Sequence, residues 1–541
     1  MNDSADPFGI PPEQEPIEDV TTTVTEPAPK RRGMKVAIIS FASVLVLGGG
    51  GALAALNWFS NNDQSVAERI PADVGIYIGI DALKLQDENT KAVVSTISQM
   101  VEDLSGEETS DVTFDMIDEE MRKELGFDFS NDIKPWVGRS MALFAMPIEG
   151  IDPASTAFQP DFEGAFVVQV RDAGQADAFI EKASKALADN GQVLQTVDHG
   201  GVSFLENDTM ALVHFDGIMS IGDPATIRRL IDVTPETSLA GSEDFAAITA
   251  QLPAERLLTM YLSADFFELP ASSFSALPIT TLASTGGSLT IVPAGIRFDA
   301  ATKISGNPGA DLYQSMFGDA TGEVASVFPA GIYGFFVLPS LADIWRAIGE
   351  AAPEDVITGS VESAVAELGY DPFDRLIPLL DGGTGVAVLP GETATPDFPI
   401  GVAATFGTSD PARLGSELDS LMTALGTTGV PLVKDGDVYT AEGVVIGVVD
   451  DRLQITFNTP FDGIGQAPSI LDDATYTAAI GSLDGLQPYV YIDTGRIVAD
   501  VAGDPSVTSA LKPLGPIVGA QGIKGDWALA AMVIHLDYAN S

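Results

Sequence analysis

The chain contains no cysteine and only three histidines among 541 residues. The first absence excludes disulfides, thiolate metal sites, cysteine nucleophiles and lipidation at a cysteine. The histidines, His199, His214 and His535, stand far apart, and none has a second ligand at helical spacing. Each therefore reads as a surface or core histidine rather than a zinc ligand. Basic residues are also scarce, 27 against 77 acidic ones, for a net charge of −50. Such a field repels nucleic acid and anionic lipid surfaces, attracts cations or basic partners, and keeps a protein soluble. Nucleic acid is not an expected partner.

Sequence signatures of catalysis are missing as well. There is no His-Glu-x-x-His, no P-loop and no Gly-x-Ser-x-Gly elbow. Ser509-Ala510-Leu511-Lys512 has Ser-x-x-Lys spacing but lacks the Ser-Asp-Asn and Lys-Thr-Gly elements that accompany it in the penicillin-binding enzymes. Asp115, Asp118, Glu119 and Glu120, and the pair Asp450-Asp451, lack the alternating oxygen ligands and central glycine of a calcium loop. The expectation is a protein that is not an enzyme, with no catalytic, cofactor-binding or metal-binding residue and no cofactor.

Apolar residues, in contrast, are plentiful: 45% of the chain, with a mean hydropathy of +0.20. The length calls for two or more folded units. Val36 to Phe59 is a run of 24 residues without a charge. As a helix it extends roughly 36 Å, enough for a hydrocarbon core of about 30 Å. Lys30, Arg31, Arg32 and Lys35 precede it, while Asp63 and Glu68 follow. The positive-inside rule then makes these four bases the topology determinants, with the N-terminus in the cytoplasm and the C-terminal region outside the cell membrane. The expectation is an uncleaved single-pass signal anchor. Its rival is cleavage after Ala52-Leu53-Ala54, and Arg31-Arg32 matches a twin-arginine signal poorly. Met1 to Pro29, rich in Pro, Glu, Asp and Thr, reads as a disordered tail.

The region beyond the anchor repeats itself. Glu124-Leu125-Gly126-Phe127-Asp128 has a counterpart in Glu367-Leu368-Gly369-Tyr370-Asp371, an offset of 243 that falls to about 235 downstream. The turn at Asp216-Gly217 answers one at Asp451-Arg452, and the strands Leu289–Val292 and Gly295–Ala300 answer the stretch Trp527–Tyr538. Ile76, Ile78 and Ile80 alternate as in a half-buried strand, and Ile332 to Leu338 takes the same place in the second half. Val93, Val94, Ile97, Val101 and Leu104 share one helical face, as do Ile344, Trp345 and Ile348. The segments 176–188 and 411–425 form another helical pair. The fold class this implies is α+β: two tandem related units of mainly antiparallel sheet with flanking helices. A disordered tail (1–35), a transmembrane helix (36–59) and a linker (60–69) precede units at 70–310 and 325–541.

An anchor, a Pro71-Ala72-Asp73 segment leading a strand, and Leu125-Gly126-Phe127-Asp128 running into Asp132-Ile133-Lys134-Pro135-Trp136-Val137-Gly138 follow one another in order. This order resembles the bacterial envelope proteins grouped as domain of unknown function 3352, over most of Ile70 to Ser541. The second half departs from it, with Leu380-Asp381-Gly382 where the first has Trp136-Val137-Gly138. The resemblance implies an envelope location and carries no activity and no functional residue. Three functions stay open. The leading one is a non-enzymatic binding or scaffold module of the cell envelope, held to the membrane by one helix and meeting an envelope protein. The others are a carrier or sensor of a hydrophobic ligand, and a hydrolase with an unrecognised site.

Overall fold

The computed structural model describes residues 66–537 apart from 82–83, 85–86, 106–121, 123–126, 148–162, 190, 268–282, 306–323, 352–364, 366–367, 396–397, 466–467, 484 and 502–504. The tail, the apolar segment 36–59 and its flanking bases Lys30, Arg31, Arg32 and Lys35 lie outside the described residues. So do the Glu124-Leu125-Gly126 motif and the acidic group at 115–120. Among the described residues no helix is long and apolar enough to cross a membrane.

Twenty strands form one mixed-length antiparallel sheet, with helices packed on both of its faces. The first ten are β1 (Ile76–Asp81), β2 (Val137–Ala145), β3 (Gly164–Val170), β4 (Gln195–His199), β5 (Val202–Glu206), β6 (Ala211–Phe215), β7 (Ile218–Gly222), β8 (Leu258–Leu262), β9 (Thr285–Val292) and β10 (Gly295–Lys303). The second ten are β11 (Gly334–Leu338), β12 (Thr384–Thr395), β13 (Phe398–Gly407), β14 (Val433–Asp435), β15 (Val438–Ala441), β16 (Val444–Val449), β17 (Arg452–Phe457), β18 (Gln487–Ile492), β19 (Leu514–Lys524) and β20 (Trp527–Leu536). From one edge the order is β4-β5-β6-β7-β3-β2-β1-β8-β9-β10. It continues through β10–β20 into β20-β19-β18-β11-β12-β13-β17-β16-β15-β14. Counted inward from either edge, the strands come in the same order, with ten added to each number.

Local chemistry explains the hairpins. Asp216 and Gly217 both take positive φ (48° and 79°), the backbone that a two-residue turn between twisted strands requires. In the second half the turn is Asp450-Asp451, one residue earlier than expected at Asp451-Arg452. Asp450 takes the left-handed position (φ 50°), and Arg452 already pairs with Val449 inside the sheet. The counterpart of β9 in the second half is β19, which lies before Trp527 and outside the expected stretch Trp527–Tyr538; only β20, the counterpart of β10, falls within it.

Each half has a packed core on both faces of its sheet. On the inner face of the first half, Val66, Ile70, Phe144, Val167, Ile227 and Ile248 pack together; on its outer face, Trp136, Phe166, Val168, Phe179 and Ala183 do. The second half repeats this, with Phe328, Val337, Tyr476 and Val518 inside and Leu380, Leu414, Leu418 and Met422 outside. The helices Ala173–Asp189 and Pro411–Thr427 supply the outer covers, from apolar residues three to four apart. The helices expected from Val93 to Leu104 and from Ile344 to Ile348 are also present, as Glu88–Ser105 and Leu341–Ala351. Equivalent straps close the inner cores: Leu239 N donates to Ile70 O at 2.7 Å, and Ile470 N donates to Phe328 O at 2.8 Å.

The halves meet along nine residue pairs of β10 and β20, from Gly295 opposite His535 to Lys303 opposite Trp527. Trp527 reaches over and packs against the first half's inner core. Arg297 pairs with Asp299 on its own strand at 2.8 Å and donates across the seam to Ser482 O at 3.1 Å. The two expected units therefore share a single sheet.

Candidate ligand-binding groove

Strand alternation builds a groove on the outer face of the second half. In β11, Phe335 and Val337 point inward and are buried, which turns Gly334 and Phe336 outward. In β12, Ala387 and Leu389 are buried, which turns Val386 and Val388 outward. Register places Phe336 between Val386 and Val490, and Gly334 between Val388 and Ile492. The helix Thr494–Val501 follows β18 and packs against β19, bringing Ile497 and Val501 to the groove wall.

The resulting cavity has a volume of about 400 Å³, within the usual range of small-molecule sites. Its lining is Tyr333, Gly334, Phe335, Phe336, Val386, Val388, Ile400, Val490, Tyr491, Ile492, Ile497 and Val501. No member of that set is charged. Phe336 is 41% exposed and Val386 37%, so large apolar side chains face solvent in a concave place. The Phe336 ring meets Tyr489 edge-on at 6.0 Å. Tyr489 stands at a bulge in the β18–β19 pairing, and burial raises its hydroxyl pKa. Gly519 makes room there, since a Cβ on it would stand 2.5 Å from Val490 Cγ1.

Polar groups outside the lining surround the start of the groove helix. Arg496, on the groove helix, lies 3.5 Å from Asp493 and 3.9 Å from Asp473, and its Nη1 donates to Gly331 O at 3.2 Å. Asp493 also accepts from Arg496 N at 2.9 Å and from the Tyr491 hydroxyl at 3.4 Å. The Tyr333 hydroxyl pKa is raised, first by burial and then by the Asp500 charge and hydrogen bond. Fixed pairs among these groups hold the start of the groove helix against the sheet.

The residues singled out in the sequence do not converge on this place. Ser509 and Lys512 are both exposed, and among the described residues no hydrogen bond joins their side chains. His199 pairs with Asp232 at 2.8 Å and His214 with Asp177 at 2.6 Å, which gives each one carboxylate partner. His535 is partly buried beside the Ala479 backbone, and burial lowers its pKa. Among the described residues no three His, Asp or Glu side chains group as metal ligands. The groove residues were missed although a signal existed. Gly334-Phe335-Phe336-Val337-Leu338 is apolar at every position, which marks a strand with two apolar faces rather than one.

The molecule is thus an antiparallel α+β protein with an apolar groove on the outer face of its second half. By sequence it belongs to the family described as protein of unknown function DUF3352, whose model matches residues 39–516. No curated protein matches the chain. Among solved structures it is similar to crystal form I of TP0453, 7% identical at a TM-score of 0.23, covering 46% of this chain and 81% of that one. Crystal form III of TP0453 gives 8% identity and 0.22 over 47% and 87%, and crystal form IV gives 9% and 0.22 over 46% and 83%. A likeness this weak has no bearing on the fold.

Proposed function

We propose that this protein is a non-enzymatic binding module of the bacterial cell envelope that holds the hydrocarbon chain of a lipid-like ligand in the groove over β11, β12 and β18. The groove itself carries the reading: its lining is uncharged and almost entirely apolar, and its volume of about 400 Å³ suits a small ligand. A peptide fits it poorly. All three strands are hydrogen-bonded on both sides, so no free edge is offered for strand addition. A peptide backbone laid in the groove would also lose water without gaining polar partners. A hydrocarbon chain gains about 0.8 kcal/mol for each methylene buried and has nothing to leave unpaired.

Two further parts belong to this proposal. The uncharged run 36–59, preceded by Lys30, Arg31, Arg32 and Lys35, anchors the chain with its N-terminus in the cytoplasm. The units 70–310 and 325–541 are copies of one ancestral unit, a reading supported by the matching strand order and by equivalent helices and straps. The test is solvent extraction of the purified full-length chain, with mass spectrometry of what is released. A chain-bearing molecule recovered from the wild type and lost from a Val386→Asp variant supports the groove. Equal recovery from both assigns that molecule to the anchor and refutes the groove as its site.

A further inference from the structure

We infer that the ligand is a single long hydrocarbon chain, which leaves the groove along the outer face of the sheet and reaches the seam between the halves; the inference rests on the hydrocarbon-binding reading above. Strand pairing sets the outward side chains in transverse rows. One row runs Phe336, Val490, Gly519, Met532 and Phe298 across β11, β18, β19, β20 and β10. The next runs Gly334, Ile492, Ile517, Ile534 and Ile296 on the same strands. The first two members of each row line the groove, and the other three lie beyond it. At about 4.8 Å between strands, Phe298 stands about 14 Å past Val490.

The ionisable residues of those five strands all take the other face. Arg297 and Asp299 stand opposite Val533 and Ala531 of the inner core, and alternation puts Lys303, Lys524 and His535 on the same side. On the outer face Met532, Phe298, Ile517, Ile534 and Ile296 are all partly exposed. Contiguous apolar side chains open to solvent mark a place that something apolar covers. Gln487 and Gln521 border the first row, so the track is two side chains wide, about 7 Å. That width suits one chain.

The far end is marked by the helix Glu88–Ser105, which packs against β9, beside β10, and against the helix Pro505–Ala510. It stands on the outer face, because the helix Glu243–Thr249 holds the inner face of β9, with Ile248 where a Cβ on Gly286 would go. A flat bilayer fits poorly on a face that carries this helix pair, and a net charge of −50 repels anionic lipid surfaces. A hydrocarbon chain continuing from the groove gains about fourfold in affinity for each further methylene it buries.

The experiment uses the full-length chain in an uncharged amphipol and two linear alcohols with a photoreactive group at the chain end. One is sized to the groove and the other is long enough to reach β10. Labelled peptides are mapped by mass spectrometry. The short probe is expected to label peptides containing Phe336 and Val386, and the long one peptides containing Phe298 and Met532. Val386 is 37% exposed, so Val386→Asp is compatible with the fold, and it is expected to cut both labels at least tenfold. Seam labelling that persists in this variant comes from outside the groove and overturns the continuous track. A long probe that labels groove peptides alone also overturns the track and leaves the hydrocarbon reading standing. Failure of both probes to label the groove overturns the hydrocarbon reading and this inference with it.

Discussion

The outer faces of the two halves differ at equivalent positions, and the difference shows how the groove arises. Register aligns Ile76 with Gly334, Ile78 with Phe336, Leu143 with Val386 and Met260 with Val490. Leu143 is 37% exposed and Met260 42%, so the first half also turns large apolar side chains toward solvent. What changes is the floor and the wall. Ile76 supplies a branched side chain where Gly334 supplies none. The helix Thr494–Val501 follows β18 where only the short turn Ala264–Phe267 is described after β8. Gly334 is also fixed by backbone, because a Cβ on it would stand 2.5 Å from Tyr491 O. A depression over three strands therefore needs one missing side chain and one added helix, while the strand order stays the same.

The largest effects should come from the matched inner cores. Phe328→Ala is expected to cost about 3–5 kcal/mol and Ile70→Ala about 2–5 kcal/mol, measured by urea unfolding. Because β10 and β20 join the halves, each variant should shift one common transition. Two separate transitions, with only one moved by each variant, would break the picture of a single cooperative sheet. Ligand binding should separate the halves instead. Val386→Asp is expected to weaken hydrocarbon binding at least tenfold, about 1.4 kcal/mol, while Leu143→Asp leaves the affinity unchanged. Loss of binding in the Leu143 variant would extend the site into the first half.

The helix caps give a smaller paired contrast. Asp473 accepts from Thr475 N at 2.8 Å and Tyr476 N at 3.3 Å, whereas Ser242 accepts from Phe245 N alone at 3.4 Å. Asp473→Ala should cost about 1–2 kcal/mol, and Ser242→Ala about 0.5 kcal/mol. Equal costs would show that the second acceptor bond adds nothing. Last comes pH. His535, partly buried, takes the place in β20 that Lys303 takes in β10, where it is 44% exposed beside Asp244. Burial lowers the folded-state pKa of His535, so on acidification the unfolded chain takes up its proton first. Its contribution is complete above the unfolded value, near 6.5, and is lost as pH falls below it. The thermal midpoint of His535→Gln should therefore vary less with pH between about 5 and 7 than that of the wild type, whereas Lys303→Gln should leave the slope unchanged.

Much of the fold is legible in the sequence, and the exceptions have physical causes. Alternation of Ile76, Ile78 and Ile80 identifies β1, and the spacing of Leu414, Leu418 and Met422 identifies the helix that covers the outer face of the second half. By contrast, β19 escapes notice because Gly515, Pro516, Gly519 and Gly522 interrupt its pattern. Pro516 is tolerated there because the β19–β20 register shifts between Leu514 and Ile517, so its missing N–H falls at a bulge. Gly519 is required by the close approach of Val490. Neither reason is local to the strand. The groove was hidden for the same cause: its walls come from residues 334–336, 386–400 and 490–501, far apart in the chain.

The uncharged run 36–59 with its basic flank, the absence of cysteine, the acidic balance and the turn and strand signals follow from the sequence alone, because composition and short-range spacing express them. Tertiary structure decided that twenty strands share one sheet, that Arg496 is held by two carboxylates, and that Gly334 lies at the floor of an apolar groove. Those facts depend on which strand lies beside which, and pairing across more than a hundred residues leaves no local mark in the chain.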